Sequence, residues 1–138
     1  MQEMLESYAA AVRAKDVDAF VGLYADDVRT FDLWSVWAYD GKPEFREMVR
    51  EWFVSLPEDE LVEVEFDEIR TESGGDVGGV SAYTTFRAVS SEGKELRSMN
   101  NRLTWLLRKD ADGTWKIAHE HTSAPAGEGG KVQLQRQL

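Results

Sequence analysis

The hydrophobic period of this chain changes once, at Pro57, and that change restricts the possible folds more than any other feature. Before Pro57 the apolar residues recur at helical spacing. Met4, Leu5, Tyr8, Ala9 and Val12 share one face of a first helix. "AKD" breaks that pattern, and Asp16 stands where an N-cap would start a second helix whose face is Val17, Phe20, Val21 and Tyr24. "VRTFDLW" has strand composition, and "SVWAYDGK" reads as an aromatic loop. "PEFREMVREWFVSL" is a third helix, with Pro43 in its first turn and Phe45, Met48, Val49, Trp52, Phe53 and Leu56 as its buried stripe.

After Pro57 the residues alternate. "LVEVEFDEI" interleaves apolar and acidic side chains, and "VSAYTTFRAV", "ELRSMNNRLTWLLR" and "TWKIAHEHT" follow as strands. "TESGGDVGG", "SSEG" and "KDADG" supply the turns. Helices followed by a meander predict an α+β domain over residues 1–125, with the helices against one face of a curved antiparallel sheet. The Gly-rich start of 126–138 predicts a loosely ordered tail.

Composition removes several function classes. A net charge of −10 and a pI near 4.6 oppose binding to nucleic acid and to anionic membranes, both of which need a basic face. The absence of cysteine excludes disulfides, thiolate metal sites and a cysteine nucleophile. With a mixed N-terminus and no apolar run of membrane-spanning length, the chain reads as a soluble cytoplasmic domain.

Three stretches together resemble a known family. "YAAAVRAKDVDAFVGLYADDVRTFD", "GKPEFREMVREWF" and "RLTWLLRKDADGTWKIAHEHTSAP" are similar to the SnoaL-like, ketosteroid isomerase-like proteins of the nuclear transport factor 2 superfamily. The last stretch also resembles the association domain of calcium/calmodulin-dependent kinase II. The resemblance implies a cone-shaped domain of three N-terminal helices on a strongly curved antiparallel sheet, commonly dimerised sheet to sheet. Tyr8 falls where ketosteroid isomerases keep an oxyanion-binding tyrosine, and Asp32 where they keep the general-base aspartate. Their second oxyanion acid falls near Arg102, a departure, because an arginine stabilises an anion without donating an acid proton; the protonated acid of ketosteroid isomerase is itself a standard example of a carboxyl kept neutral.

Residues two apart in a strand share a face. Trp115, Ile117, His119 and His121 therefore share one side of the last strand, and Glu120 and Thr122 the other. If Lys109 and Gly113 flank the hairpin, Arg102 lies opposite Glu120. Leu103, Trp105 and Leu107 then join the histidine face, while Arg102, Thr104 and Leu106 join Glu120. The mixed face suits a ligand cavity, which needs a few polar groups among apolar walls. The greasy face would look outward, as the convex interface of a homodimer with both histidines at its margin.

The expected site is accordingly Asp32, Tyr8 and Arg102 as catalytic groups, with Trp34, Trp37, Tyr39, Thr104, Glu120 and Thr122 around a small hydrophobic ligand. The two histidines lack a third of their kind, so no metal is expected, and no cofactor is implied. Three functions stay open: an isomerase or cyclase transferring protons on a hydrophobic carbonyl compound, a non-catalytic ligand-binding module, and an assembly domain.

Overall fold

The computed structural model describes residues 1–136. Helix α1 (Gln2–Ala14) buries Met4, Leu5, Tyr8, Ala11 and Val12, the stripe its periodicity predicts. Asp16 caps α2 (Val17–Val21) by accepting the Ala19 N–H at 3.0 Å. This helix is shorter than its apolar spacing suggests. At Tyr24 the chain already enters strand β1 (Tyr24–Phe31), where Tyr24 pairs with Ile117. Tyr24 stays fully buried, so the helical period and the strand serve the same core. After the short β2 (Tyr39–Asp40), helix α3 (Lys42–Ser55) buries Phe45, Val49 and Phe53.

The remaining strands are β3 (Glu60–Gly74), β4 (Val77–Ser90), β5 (Glu95–Lys109) and β6 (Trp115–Ser123). Together the strands form one curved, unclosed sheet in the order β2-β1-β6-β5-β4-β3. It is mixed rather than wholly antiparallel, because β1 runs parallel to β6. A parallel neighbour requires a long crossover, and here helix α3 and four strands intervene. Register shifts interrupt β3–β4, β4–β5 and β5–β6, and such bulges bend a sheet toward its concave side. The core lies between that inner face and the helices.

The β5–β6 register differs from the expected one, with consequences for every face assignment. The hairpin loop takes in Asp110 to Thr114, closed by Asp110 N–H donating to Thr114 O at 2.9 Å, so that Lys109 pairs with Trp115. Leu107 still pairs with Ile117. The next pair, however, is Leu106 with His119, which leaves Ala118 as an extra residue. Beyond this bulge Trp105 pairs with Glu120, Leu103 with Thr122, and Arg102 with Ser123. Leu103, Trp105, Leu107 and Ile117 are buried within the single chain, at most 3% exposed, and face the helices. The apolar slab expected on a convex dimer interface is therefore the inner core. Arg102, Thr104 and Leu106 occupy the outer face instead and are exposed.

The tail is more firmly held than its glycines suggest. Ala126 bridges Val132, Asn100 N–H donates to Leu134 O at 2.7 Å, and the Arg136 guanidinium lies 3.7 Å above the Tyr83 ring while pairing with Asp67 and Glu68. Residues 137 and 138 of the expected tail lie outside the described residues.

This inversion has a direct test. Ile117→Glu places a carboxylate among Leu107, Tyr24 and the helices, with no partner. Such a substitution should cost several kcal/mol, enough to unfold a domain of ordinary stability. Far-UV circular dichroism should show loss of the folded signal. A variant with unchanged melting temperature would return Ile117 to the surface.

Candidate functional site

Along the inner face of the sheet the side chains are stacked in rungs. The closed end holds Leu107 and Ile117. The next rung is Trp105 with Glu120 and Thr30, followed by Leu103 with Thr122, beside which Asp32 follows the end of β1. Above these come Asn101 with Thr84, and then Met99 with Phe86. The helices stand off from the upper rungs and leave a cavity of about 620 Å³. That volume lies within the range of small-molecule sites. Phe20, Phe45, Met48, Trp52, Phe86 and Met99 supply apolar wall, and Tyr8, Trp34 and Tyr39 add aromatic surface.

Three carboxyl side chains line this space: Glu51, which is exposed to solvent, and two that are buried or partly buried, Glu120 and Asp32. Glu120 is buried, and its Oε1 accepts both the Tyr24 hydroxyl at 2.7 Å and the Trp105 indole N–H at 2.9 Å. Burial pushes its pKa up to about 7; the two donated bonds oppose the rise, and the Asp32 charge adds to it. Oε2 has no protein partner among the described residues. Asp32 is partly buried, and its Oδ1 accepts the Thr122 hydroxyl at 2.8 Å and the Leu33 N–H at 3.0 Å. Its pKa is raised by desolvation, against the pull of those two bonds. Its Oδ2 likewise has no protein partner among the described residues.

Tyr8 packs its ring against Phe20 and Trp105, with centroids 4.8 and 5.9 Å away, and lines the cavity. Burial, then the charges of Glu120 and Asp32, holds its hydroxyl well above the usual tyrosine value, so it remains a proton-bearing donor. Arg97, the one basic side chain on the cavity wall among the described residues, is 58% exposed and tied to Glu60 at 2.7 Å. The interior thus holds acidic and neutral polar groups but no free cation.

The residues expected at the site divide by strand register. Tyr8, Asp32, Trp34, Tyr39, Glu120 and Thr122 line one cavity. Arg102 and Thr104 do not. The bulge at Ala118 carries both to the outer surface, where Arg102 donates to Ser123 Oγ at 3.0 Å. Trp37 is 96% exposed and contributes nothing to the wall, because the chain turns outward after Ser35, whose φ is 61°. The histidines lie outside the cavity as well. His119 Nδ1 is 2.7 Å from Arg29 O, and both imidazoles pack edge-on against Phe31. No group of three or more metal-ligating side chains occurs among the described residues. Sequence reasoning missed Asn101, and also Tyr24 and Trp105 as the donors that hold Glu120. Alternation along β5 contains the signal for Asn101 and Trp105 once the face is chosen correctly.

Glu120 makes stability depend on pH in a calculable direction. Its folded pKa lies above the unfolded value of 4.5. Its stabilising contribution is therefore complete below pH 4.5, is lost as pH rises to about 7, and changes no further above that. The full difference is about 3 kcal/mol, and Asp32 acts in the same direction from its own lower starting point. Glu120→Gln keeps an acceptor for Tyr24 and Trp105 but cannot ionise. Urea unfolding between pH 4.5 and 8 should show stability falling for the wild type and a flatter profile for the variant. Parallel profiles would mean that Glu120 ionises normally.

The sequence matches the SnoaL-like domain family over residues 1–127. No curated protein matches the chain significantly. Among solved structures, an NTF2-like protein of unknown function from Pseudomonas putida KT2440 is 22% identical with a TM-score of 0.85, covering 99% of this chain and 93% of that one. A ketosteroid isomerase-like protein from Erwinia carotovora atroseptica is 24% identical with a TM-score of 0.63, covering 88% and 91%. ActVI-ORFA from Streptomyces coelicolor is 12% identical with a TM-score of 0.78, covering 88% and 92%. At such identities these structures share the fold. No helix among the described residues is long and apolar enough to cross a membrane. With almost the whole domain matched, and a curved sheet that encloses a cavity beneath three helices, the chain belongs to the SnoaL-like family.

Proposed function

We propose that this protein transfers protons on a neutral, hydrophobic carbonyl compound held in the cavity, as an isomerase- or cyclase-like enzyme. The observation that carries the reading is the pair of carboxyl groups, Asp32 and Glu120, which share one apolar cavity and are both raised toward neutrality. Two carboxyls whose surroundings separate their pKa values divide naturally into a base and an acid. Asp32 keeps the lower value and is the base. Glu120, at about 7, holds its proton over part of the neutral range and is the acid.

The chemistry follows from the unpartnered oxygens. Asp32 Oδ2 removes a proton from the carbon next to the carbonyl. The electrons of that C–H bond move onto the carbonyl oxygen, where the Tyr8 hydroxyl and protonated Glu120 donate hydrogen bonds. Return of the proton to a conjugated carbon, or to the opposite face of the same carbon, completes an isomerisation; in a cyclisation the carbanion forms a C–C bond to an internal carbonyl carbon, and the resulting alkoxide takes back the proton held by Asp32. Glu120 in its acid form takes the part that sequence position had suggested for Arg102. The absence of a free cation inside the cavity favours a neutral ligand over an anion. An open cavity of about 620 Å³ favours ligand binding over a purely assembly role. Every group named belongs to one chain, so the chemistry needs no second copy.

Proton exchange at the α-carbon of 2-tetralone in D₂O, followed by NMR, tests this directly. Wild-type protein should accelerate the exchange, and Asp32→Asn should reduce that acceleration about 10²- to 10⁴-fold, the usual contribution of a general base. The rate should need ionised Asp32 and protonated Glu120, and so should fall as pH rises through about 7. Glu120→Gln should remove that basic limb. Equal exchange by wild type and Asp32→Asn would refute the base assignment, and binding without exchange would leave a non-catalytic module.

A further inference from the structure

We propose that Tyr24 is a positioning residue for the reaction: together with Trp105 it occupies Glu120 Oε1, so that the proton of the acid sits on Oε2, the oxygen open to the ligand. This inference rests on the proton-transfer reading above and identifies the groups that orient its acid.

Glu120 uses its two oxygens differently. Oε1 accepts the Tyr24 hydroxyl at 2.7 Å and the Trp105 indole N–H at 2.9 Å. Those two bonds fill the lone pairs of an unprotonated carboxyl oxygen. An indole N–H only donates, so Trp105 needs an acceptor on Oε1 in every state of the acid. The Tyr24 hydroxyl has no other partner among the described residues, so it too donates to Oε1. A proton on Oε1 would compete with both donors. Oε2 accepts no bond from the protein, and it is not one of the enclosed atoms without a partner, which among the described residues are Thr30 Oγ1, Thr84 Oγ1 and Asn101 Oδ1. Its surface opens on the cavity that Glu120 lines.

The two tyrosines beside this acid have different tasks. Tyr24 is fully buried, packs on Phe20 and Phe45 with centroids 5.5 and 4.4 Å away, and forms no part of the cavity wall. It therefore acts on a ligand only through Glu120. Tyr8 lines the cavity, and its hydroxyl, with no protein partner among the described residues, is left for the ligand. Asp32 repeats the division, with Oδ1 bonded to Thr122 and Leu33 and Oδ2 left for the ligand. The titratable groups facing Glu120 are Tyr8 of α1, Tyr24 of β1 and Asp32 just beyond that strand. Tyr39 of β2, Glu51 of α3 and Arg97 of β5 are the other ionisable groups of the wall. Bonds donated to Oε1 are strongest when Glu120 is charged, so Tyr24 and Trp105 oppose the rise that burial causes.

Tyr24→Phe keeps the ring and removes only the hydroxyl. Two measurements read its effect: ¹³C titration of the Glu120 carboxyl, and the pH profile of 2-tetralone exchange. The Glu120 midpoint should rise by about one pH unit from its wild-type value of about 7, and the basic limb of exchange should move up with it. On the acidic side of that limb exchange should slow about tenfold, because a weaker acid donates a weaker bond. A merely structural tyrosine would lower the melting temperature but leave the midpoint and the limb in place, and that result overturns the inference. The wild type offers a second check that needs no variant. Its Trp105 indole proton should stay at a downfield, hydrogen-bonded position on both sides of the Glu120 transition, and move further downfield as Glu120 ionises. Return of that resonance to an unbonded position on protonation would put the proton on Oε1 and overturn the inference as well. If the wild type accelerates exchange at no pH, the proton-transfer reading fails, and the two titrations still decide whether Tyr24 and Trp105 place the proton.

Discussion

Ile117 and Glu120 stand three positions apart in β6, yet both face the core, and a regular strand cannot do this. The extra residue between Leu107↔Ile117 and Leu106↔His119 makes it possible. Everything functional in the molecule depends on that bulge. Below it, Ile117 joins Leu107 in the buried core. Above it, Glu120 and Thr122 turn inward to meet Asp32. The same shift sends His119 and His121 outward onto Phe31. Bulges commonly re-aim a side chain next to a functional site, and here one re-aims four in succession, His119 to Thr122.

Burying Glu120 would be prohibitive without donors, and the fold provides them from residues that are also central to its packing. Trp105 is 1% exposed and Tyr24 fully buried, and each directs its one polar atom at Glu120 Oε1. Tyr24 in turn packs on Phe45 of α3 at a centroid distance of 4.4 Å. The acid is thus held by the hydrophobic core itself, and its orientation is coupled to helix packing. Asp32 is held differently, at the end of β1, by Thr122 and a backbone N–H in the chain that leads into the aromatic loop. One carboxyl is rigid and deep, the other shallower and nearer solvent. That difference in environment separates their proton affinities.

Much of this was legible before any coordinates. The stripes of α1 and α3 and the four long strands are written in helical and alternating periods, because each element buries one face. Tyr8 and Asp32 sit in one of the three family-like stretches of the sequence, and Glu120 could be placed on the cavity side by the mixed chemistry of its face. A single inserted residue was not legible. Alternation along β5 and β6 is equally good in either pairing, and nothing in "KIAHEH" marks Ala118 as unpaired. Arg102 was therefore drawn inward and Leu103 outward, when the reverse holds. The same ambiguity turned the core slab of Leu103, Trp105, Leu107 and Ile117 into a surface. The parallel β1–β6 pair was illegible for another reason: it joins segments some ninety residues apart, and local patterning carries no record of strand direction.

The central claim is that two carboxyl groups in one apolar cavity have separated and elevated proton affinities. Site-resolved titration of the side-chain carboxyl carbons by ¹³C NMR measures this directly. Glu120 should titrate near 7 and Asp32 below it, but above the ordinary aspartate value of 3.8, with each resonance sensing the other's transition. Two independent titrations at ordinary carboxylate values would contradict the account, because the cavity would then hold two ordinary anions and no acid.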